Sequence, residues 1–142
     1  MKQIFYITTI LFYSMSYGQL KQVELPKSSE IGKITPLGQK SMYCDKVGDF
    51  YMFFYRDDQY EHITEWESFT IENEQDFNMF YDIVMDNFSK IPKDPILLEN
   101  SVSKITLIYK NLWGTRTMRF SNGVGMSSEF TKKQVQRLFG KR

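Results

Sequence analysis

Beyond its first eighteen residues, the chain reaches its highest apolar density at Asp49–Tyr55, DFYMFFY, where five of seven residues are aromatic. Successive side chains of a strand point to opposite faces. Phe50, Met52 and Phe54 therefore share one face, and Tyr51, Phe53 and Tyr55 the other. Both faces are aromatic, as in a central strand covered on at least one side. The pattern assigns Phe50, Met52 and Phe54 to the core and leaves Tyr51, Phe53 and Tyr55 as a face in need of cover. At roughly 150–250 Å² per ring, that face would equal or exceed the ~300–600 Å² largest patch of a typical monomer. The N-terminal arm, a partner or a second copy of the chain would have to cover it.

Around this strand the periodicity lays out a hairpin, a helix, a second hairpin and a second helix. Lys46-Val47-Gly48-Asp49 supplies turn chemistry before the strand, and Arg56-Asp57-Asp58-Gln59 after it. The return strand, Tyr60 to Ile71, breaks its period at Glu65–Ser68, which a bulge or a short helical turn would explain. Asn73 can cap a helix whose apolar positions Phe77, Phe80, Tyr81, Val84 and Phe88 form one stripe. Pro92 and Pro95 end it. Ile105, Leu107 and Tyr109 alternate with polar residues, Asn111-Leu112-Trp113-Gly114 turns the chain, and Met118 and Phe120 return inward. Thr131 and Gln134 form a capping box for a helix over 132–139, with Gly140 at its C′ position. The expected fold is α+β, one antiparallel sheet of about four strands with two helices on one face.

The N-terminus reads differently. Residues 1–18 match a cleavable signal peptide: Lys2, an apolar Ile4–Tyr13, and small residues at Ser16 and Gly18 before Gln19. Residues 19–40 are polar and broken by Pro26, Pro36, Gly32 and Gly38, so an extended arm or loop is expected, able to hold a sheet edge. Residues 41–142 form a single domain. The expected location is exported, periplasmic or secreted, with no transmembrane segment once the leader is removed. The lone cysteine, Cys44, excludes an intramolecular disulfide.

Charge adds an asymmetry. Residues 19–100 carry 8 Lys/Arg against 16 Asp/Glu, a balance of −8, while residues 101–142 carry 9 against one, a balance of +8. A basic surface for an anionic partner is one explanation. The reading taken is internal complementarity, with no nucleic acid as partner. Absence of alanine from the 142 residues reflects codon usage rather than function.

Candidate chemistry is thin. Asp57, Asp58, Glu61, His62 and Glu65 could ligate a divalent metal, and His62 with Cys44 could form a thiol–imidazole pair. Neither HExxH nor EF-hand spacing is present, and on a strand Glu61 and His62 would face opposite ways. Gly123-Val124-Gly125 before Lys132 and Lys133 has the outline of an anion-binding loop without the P-loop pattern. Two binding surfaces are left: Tyr51, Phe53 and Tyr55, and the basic hairpin face with Trp113, Arg116 and Arg119 beside Lys104 and Lys110. The expectation is a non-catalytic binding domain without a cofactor, whose partner is a protein, a peptide or a second copy. The alternative is a metal-dependent or thiol enzyme built on His62 with the nearby carboxylates or Cys44.

Overall fold

The computed structural model describes residues 22–142; the expected leader, residues 1–18, lies outside them. The fold is mixed α+β, with two antiparallel four-stranded sheets instead of one. The first sheet is a meander of β1 (Ser28–Ile34), β2 (Met42–Val47), β3 (Phe50–Arg56) and β4 (Trp66–Ile71). After helix α1 (Glu74–Lys90), the second sheet runs β5 (Ile96–Glu99), β6 (Lys104–Leu112), β7 (Thr115–Ser121) and β8 (Phe130–Thr131), followed by α2 (Lys132–Leu138). The single-sheet expectation fails because three strands, β1, β5 and β8, carry no apolar alternation strong enough to reveal them.

The arm shows why. β1 is SSEIGKI, exposed along most of its length, yet it pairs with β2 throughout. Only Ile34 is buried and Ile31 partly so, while Val23 and Leu25 are exposed. A register shift between Glu30 and Gly32 and the charged Glu30 and Lys33 blunt this edge against further pairing. Gly32 is needed for packing. A Cβ there would stand 2.0 Å from the Arg137 carbonyl oxygen and 2.5 Å from that of Leu138, so α2 lies on β1 only because the side chain is absent.

DFYMFFY is inverted relative to expectation. Tyr51, Phe53 and Tyr55 are buried, and Phe50 is 45% exposed with Met52 and Phe54 intermediate. The two-residue turn Gly48-Asp49 pairs Val47 with Phe50, which sets Cys44 opposite Phe53 and Met42 opposite Tyr55. All four face α1. Tyr51 stacks on Phe77 with ring centroids 4.1 Å apart, and Phe53 contacts the rings of Phe69, Phe77, Phe80 and Phe139. Tyr55 fits inside because its hydroxyl has somewhere to go. Tyr55 Oη donates to the Gly125 carbonyl at 3.0 Å and accepts from the Asn122 amide at 2.9 Å. Burial accordingly pushes the Tyr55 phenol well above its usual range.

The rest follows the expected signals more closely. Phe77, Phe80, Val84 and Phe88 are the buried stripe of α1, and the Asn73 side chain accepts from the Asp76 amide. At the other end Ile91 takes φ +43, a costly conformation for a β-branched residue. Ile105, Leu107, Tyr109, Met118 and Phe120 face inward from the second sheet, and α2 carries the full Thr131/Gln134 capping box. A single core joins the inner faces of both sheets through the helices, as the Phe69–Phe120 and Phe80–Phe120 contacts show.

Candidate functional site

The connection between β7 and β8 ties the sheets together and builds the floor of a cleft. Asn122 Nδ2 donates to Glu67 at 2.8 Å, and the Met126 amide donates to the Asp57 carboxylate at 3.2 Å. Asp57, only 1% exposed, also accepts from the Gln59 amide, and the Asp58 amide donates to the Met126 carbonyl. A Cβ on Gly125 would fall 2.7 Å from Asp57 Oδ2, so glycine permits the loop to press on this carboxylate. Every amide that could have cradled an anion here is already used. Gly123 N donates to Ser121 Oγ, Val124 N and Gly125 N to Asn122 Oδ1, and Met126 N to Asp57. The loop is a clasp between sheets, and the anion-binding outline has no free donors to act through.

Above this floor lies an open cleft of about 450 Å³, lined by Pro36 and Leu37 on one side and by Arg56, Asp58, Tyr60 and Glu61 on the other. Leu37 on its rim is fully exposed with φ +51. The volume is within the ~300–1,000 Å³ of small-molecule sites, but the lining is more polar and open than such sites usually are.

Beside the cleft lies the outer face of the first sheet. Tyr43 pairs across strands with Phe54, and their rings stack 4.9 Å apart at 17°. Trp66, 42% exposed, meets the Tyr43 ring edge-on at 5.6 Å. The Lys40 ammonium sits 4.1 Å over the other face of Tyr43, a cation–π contact, and is also bonded to Glu30. Met52 and the half-exposed Phe50 extend the apolar face along β3. Cross-strand aromatic pairs stabilise a sheet by about 0.2–1 kcal/mol each, which explains Tyr43 against Phe54. It does not explain why Trp66, Phe50 and Met52 join them on a side to which neither α1 nor α2 packs.

The three aromatics expected to want a partner, Tyr51, Phe53 and Tyr55, are therefore core residues and present no surface. The basic hairpin face also divides. Arg116 and Arg119 are three positions apart on one strand, so they point to opposite sides. Arg116 Nη1 donates to the Phe88 carbonyl at 2.9 Å, satisfying the C-terminal end of α1. Arg119, on the outer side, lies 3.5 Å from both Asp58 and Glu129, and its Nε has no hydrogen-bond partner. Lys110 bonds Glu129 at 3.1 Å, and Lys104 lies 3.8 Å from Glu99. Of these, Arg119–Asp58 and Lys104–Glu99 link the basic third to the acidic middle.

Trp113 alone of this set stands free, fully exposed at the β6–β7 turn. Trp113 and Gly114 take φ +55 and +83, the signs of a type I′ turn. Asn, Asp or Gly normally fills the first position, and a bulky side chain there costs roughly 1–2 kcal/mol.

Glu129 permits a test of the charge network. Its hydrogen bond from Lys110, aided by the charges of Lys110 and Arg119, holds its carboxyl below the usual carboxylate range. A carboxyl lowered on folding contributes stability above its unfolded pKa and loses it as pH falls through the folded value. Acid titration of stability should therefore show a loss below the ordinary Glu range, and Glu129→Gln should flatten that limb while leaving neutral-pH folding intact. An unchanged acid limb would remove Glu129 from the network's role in stability.

The enzymatic constellations do not assemble. Cys44 is fully buried in the core, where desolvation, with a smaller push from Asp45, raises its thiol far above the reactive range. His62 is exposed on the 57–65 loop, away from that core. Among the described residues no group of three or more His, Cys, Asp and Glu side chains is placed to hold a metal ion. The hairpin turn expected at 56–59 is in fact this longer loop, and β4 begins only at Trp66. No helix among the described residues is long and apolar enough to cross a membrane. Comparison with family models, with curated proteins and with solved structures returns no match.

Proposed function

We propose that this chain is a small exported domain that binds a protein or peptide partner without catalysing a reaction, and that it does so on the outer face of its first sheet. The observation that carries this reading is the partly exposed aromatic row of Tyr43, Phe54 and Trp66, continued by Met52 and Phe50. Aromatic residues beside arginine are the composition of interface hot spots, and Arg56, opposite Trp66, supplies the arginine of this row. The adjoining cleft gives a partner a concavity for one of its own side chains. Export rests on the leader pattern of residues 1–18.

The test is quantitative capture from the native exported fraction, with wild-type protein and Trp66→Ser as paired baits. Trp66 is half-exposed, so the variant should fold. A partner retained by the wild type and depleted about tenfold or more on Trp66→Ser would support the assignment, since hot-spot truncations reach that size. Equal retention by both baits would move the binding site elsewhere.

A further inference from the structure

The β6–β7 tip goes beyond this reading and is independent of the first sheet. Its last residues, Lys110–Leu112 and Thr115–Arg116, are all exposed, with Leu112 54% and Trp113 101% accessible. The indole touches nothing in the domain, yet it occupies a left-handed backbone position that a smaller residue would fill without strain. Nothing in the folding of this chain calls for tryptophan there.

Charge identifies the medium. The tip itself, residues 110–116, carries Lys110 and Arg116 and no carboxylate, and behind it Lys90 and Lys93 stand with Asp86 and Asp94. Glu99 lies at the far end of β5, opposite Lys104. Arg116 anchors the tip to the end of α1, which brings Lys90 beside it. The 91–95 segment with Lys93 enters β5 from the same side, because Ile96 pairs with Leu107 and Glu99 with Lys104. Glu129, on the outer side, is bonded to Lys110. One indole offers up to roughly 250 Å² and its neighbour Leu112 less. That is well short of the ~800 Å² per partner of a stable protein interface. A lipid interface has no such threshold, since insertion scales with whatever apolar area enters and adds attraction of cations to anionic head groups. Tryptophan is also enriched at membrane–water interfaces.

We infer that the Leu112–Trp113 tip inserts into the interfacial layer of an anionic phospholipid bilayer, with Lys90, Lys93 and Arg116 facing the head groups. The domain thereby attaches reversibly to a membrane surface while its first sheet stays free.

The experiment uses protein beginning at Gln19, because the apolar leader would itself bind lipid; among the described residues the buried core begins at Ile34, with Ile31 packed against it. The chain has two tryptophans, so Trp66→Phe leaves Trp113 as the single reporter. With phosphatidylglycerol-containing vesicles, its emission should shift to the blue and the protein should sediment with the lipid. Pure phosphatidylcholine vesicles or high salt should weaken both effects. In an otherwise wild-type chain, Trp113→Asn should lower vesicle partition by about tenfold or more, the factor expected for losing one buried large side chain. The same change should raise Tm by a few degrees, since Asn suits the turn. Unshifted emission, salt-independent partition or full vesicle binding by Trp113→Asn would each overturn the inference. If Trp113→Asn instead releases a protein from the exported fraction with no vesicle effect, the tip docks on protein and the lipid assignment is wrong.

Discussion

Phe53→Ala should destabilise the protein by about 4 kcal/mol, while Phe54→Ala, one position along, should cost about 1–2 kcal/mol. Phe53 has no exposed surface and sits at the centre of the ring cluster formed by Phe69, Phe77, Phe80 and Phe139. Its removal takes away the transfer free energy of a whole side chain and leaves a cavity among rigid rings that cannot collapse into it. Phe54 is partly exposed on the other side, and its truncation forfeits mainly the stack on Tyr43. Urea unfolding of the two variants at constant m reads the difference directly. Equal losses would mean that β3 is buried on both faces; the reverse order would restore the opposite register.

Gly32→Ala should be nearly as damaging, about 3 kcal/mol, although it adds a single methyl group on a mostly exposed strand. The obstacle is backbone. The new Cβ would meet the carbonyl oxygens of Arg137 and Leu138 at 2.0 and 2.5 Å, and neither can rotate away. Helix α2 would have to lift from β1, pulling Val135, Leu138 and Phe139 from the core. Gly48→Ala is the control, because a Cβ there meets nothing within 4 Å and only the positive φ resists it. Gly32→Ala should lower the urea midpoint clearly more than Gly48→Ala. Comparable midpoints would show that α2 does not press on β1 as described.

These residues also show how far the sequence was readable. The helices were legible because their signals are local: the Phe77–Phe88 stripe, the Asn73 cap and the Thr131/Gln134 box each lie within a few turns of chain. The second hairpin was legible because only one of its faces is apolar. DFYMFFY was not, since a period of two cannot choose between two aromatic faces, and a one-residue difference exchanges them. The choice is made elsewhere, by the Gly48-Asp49 turn and by hydroxyl partners such as Gly125 and Asn122, about seventy residues from Tyr55. β1 was hidden for a different reason. Its seven residues offer one buried side chain, and it is held by backbone pairing and by a glycine under α2.

The candidate surface was half legible. An aromatic strand with one exposed face is visible in the sequence, but the pattern points to Tyr51, Phe53 and Tyr55, which are buried. The exposed one includes Tyr43 and Trp66, which stand on neighbouring strands opposite Phe54 and Arg56. Arg116 and Arg119 fall on opposite faces, as their odd spacing on a strand dictates. What remains of that group at the surface is Trp113, whose backbone sign no propensity scale anticipates.

The central claim, that the outer face of the first sheet receives a partner, is tested most directly by oxidative footprinting of the side chains. The free protein should be labelled at Phe50, Met52 and Trp66, and not at Tyr51, Phe53 or Tyr55. In the complex retained from the exported fraction, labelling at Phe50, Met52 and Trp66 should fall sharply. Labelling at Val124, exposed on the clasp loop, should persist. Undiminished labelling of Trp66 and Met52 in that complex would contradict the account.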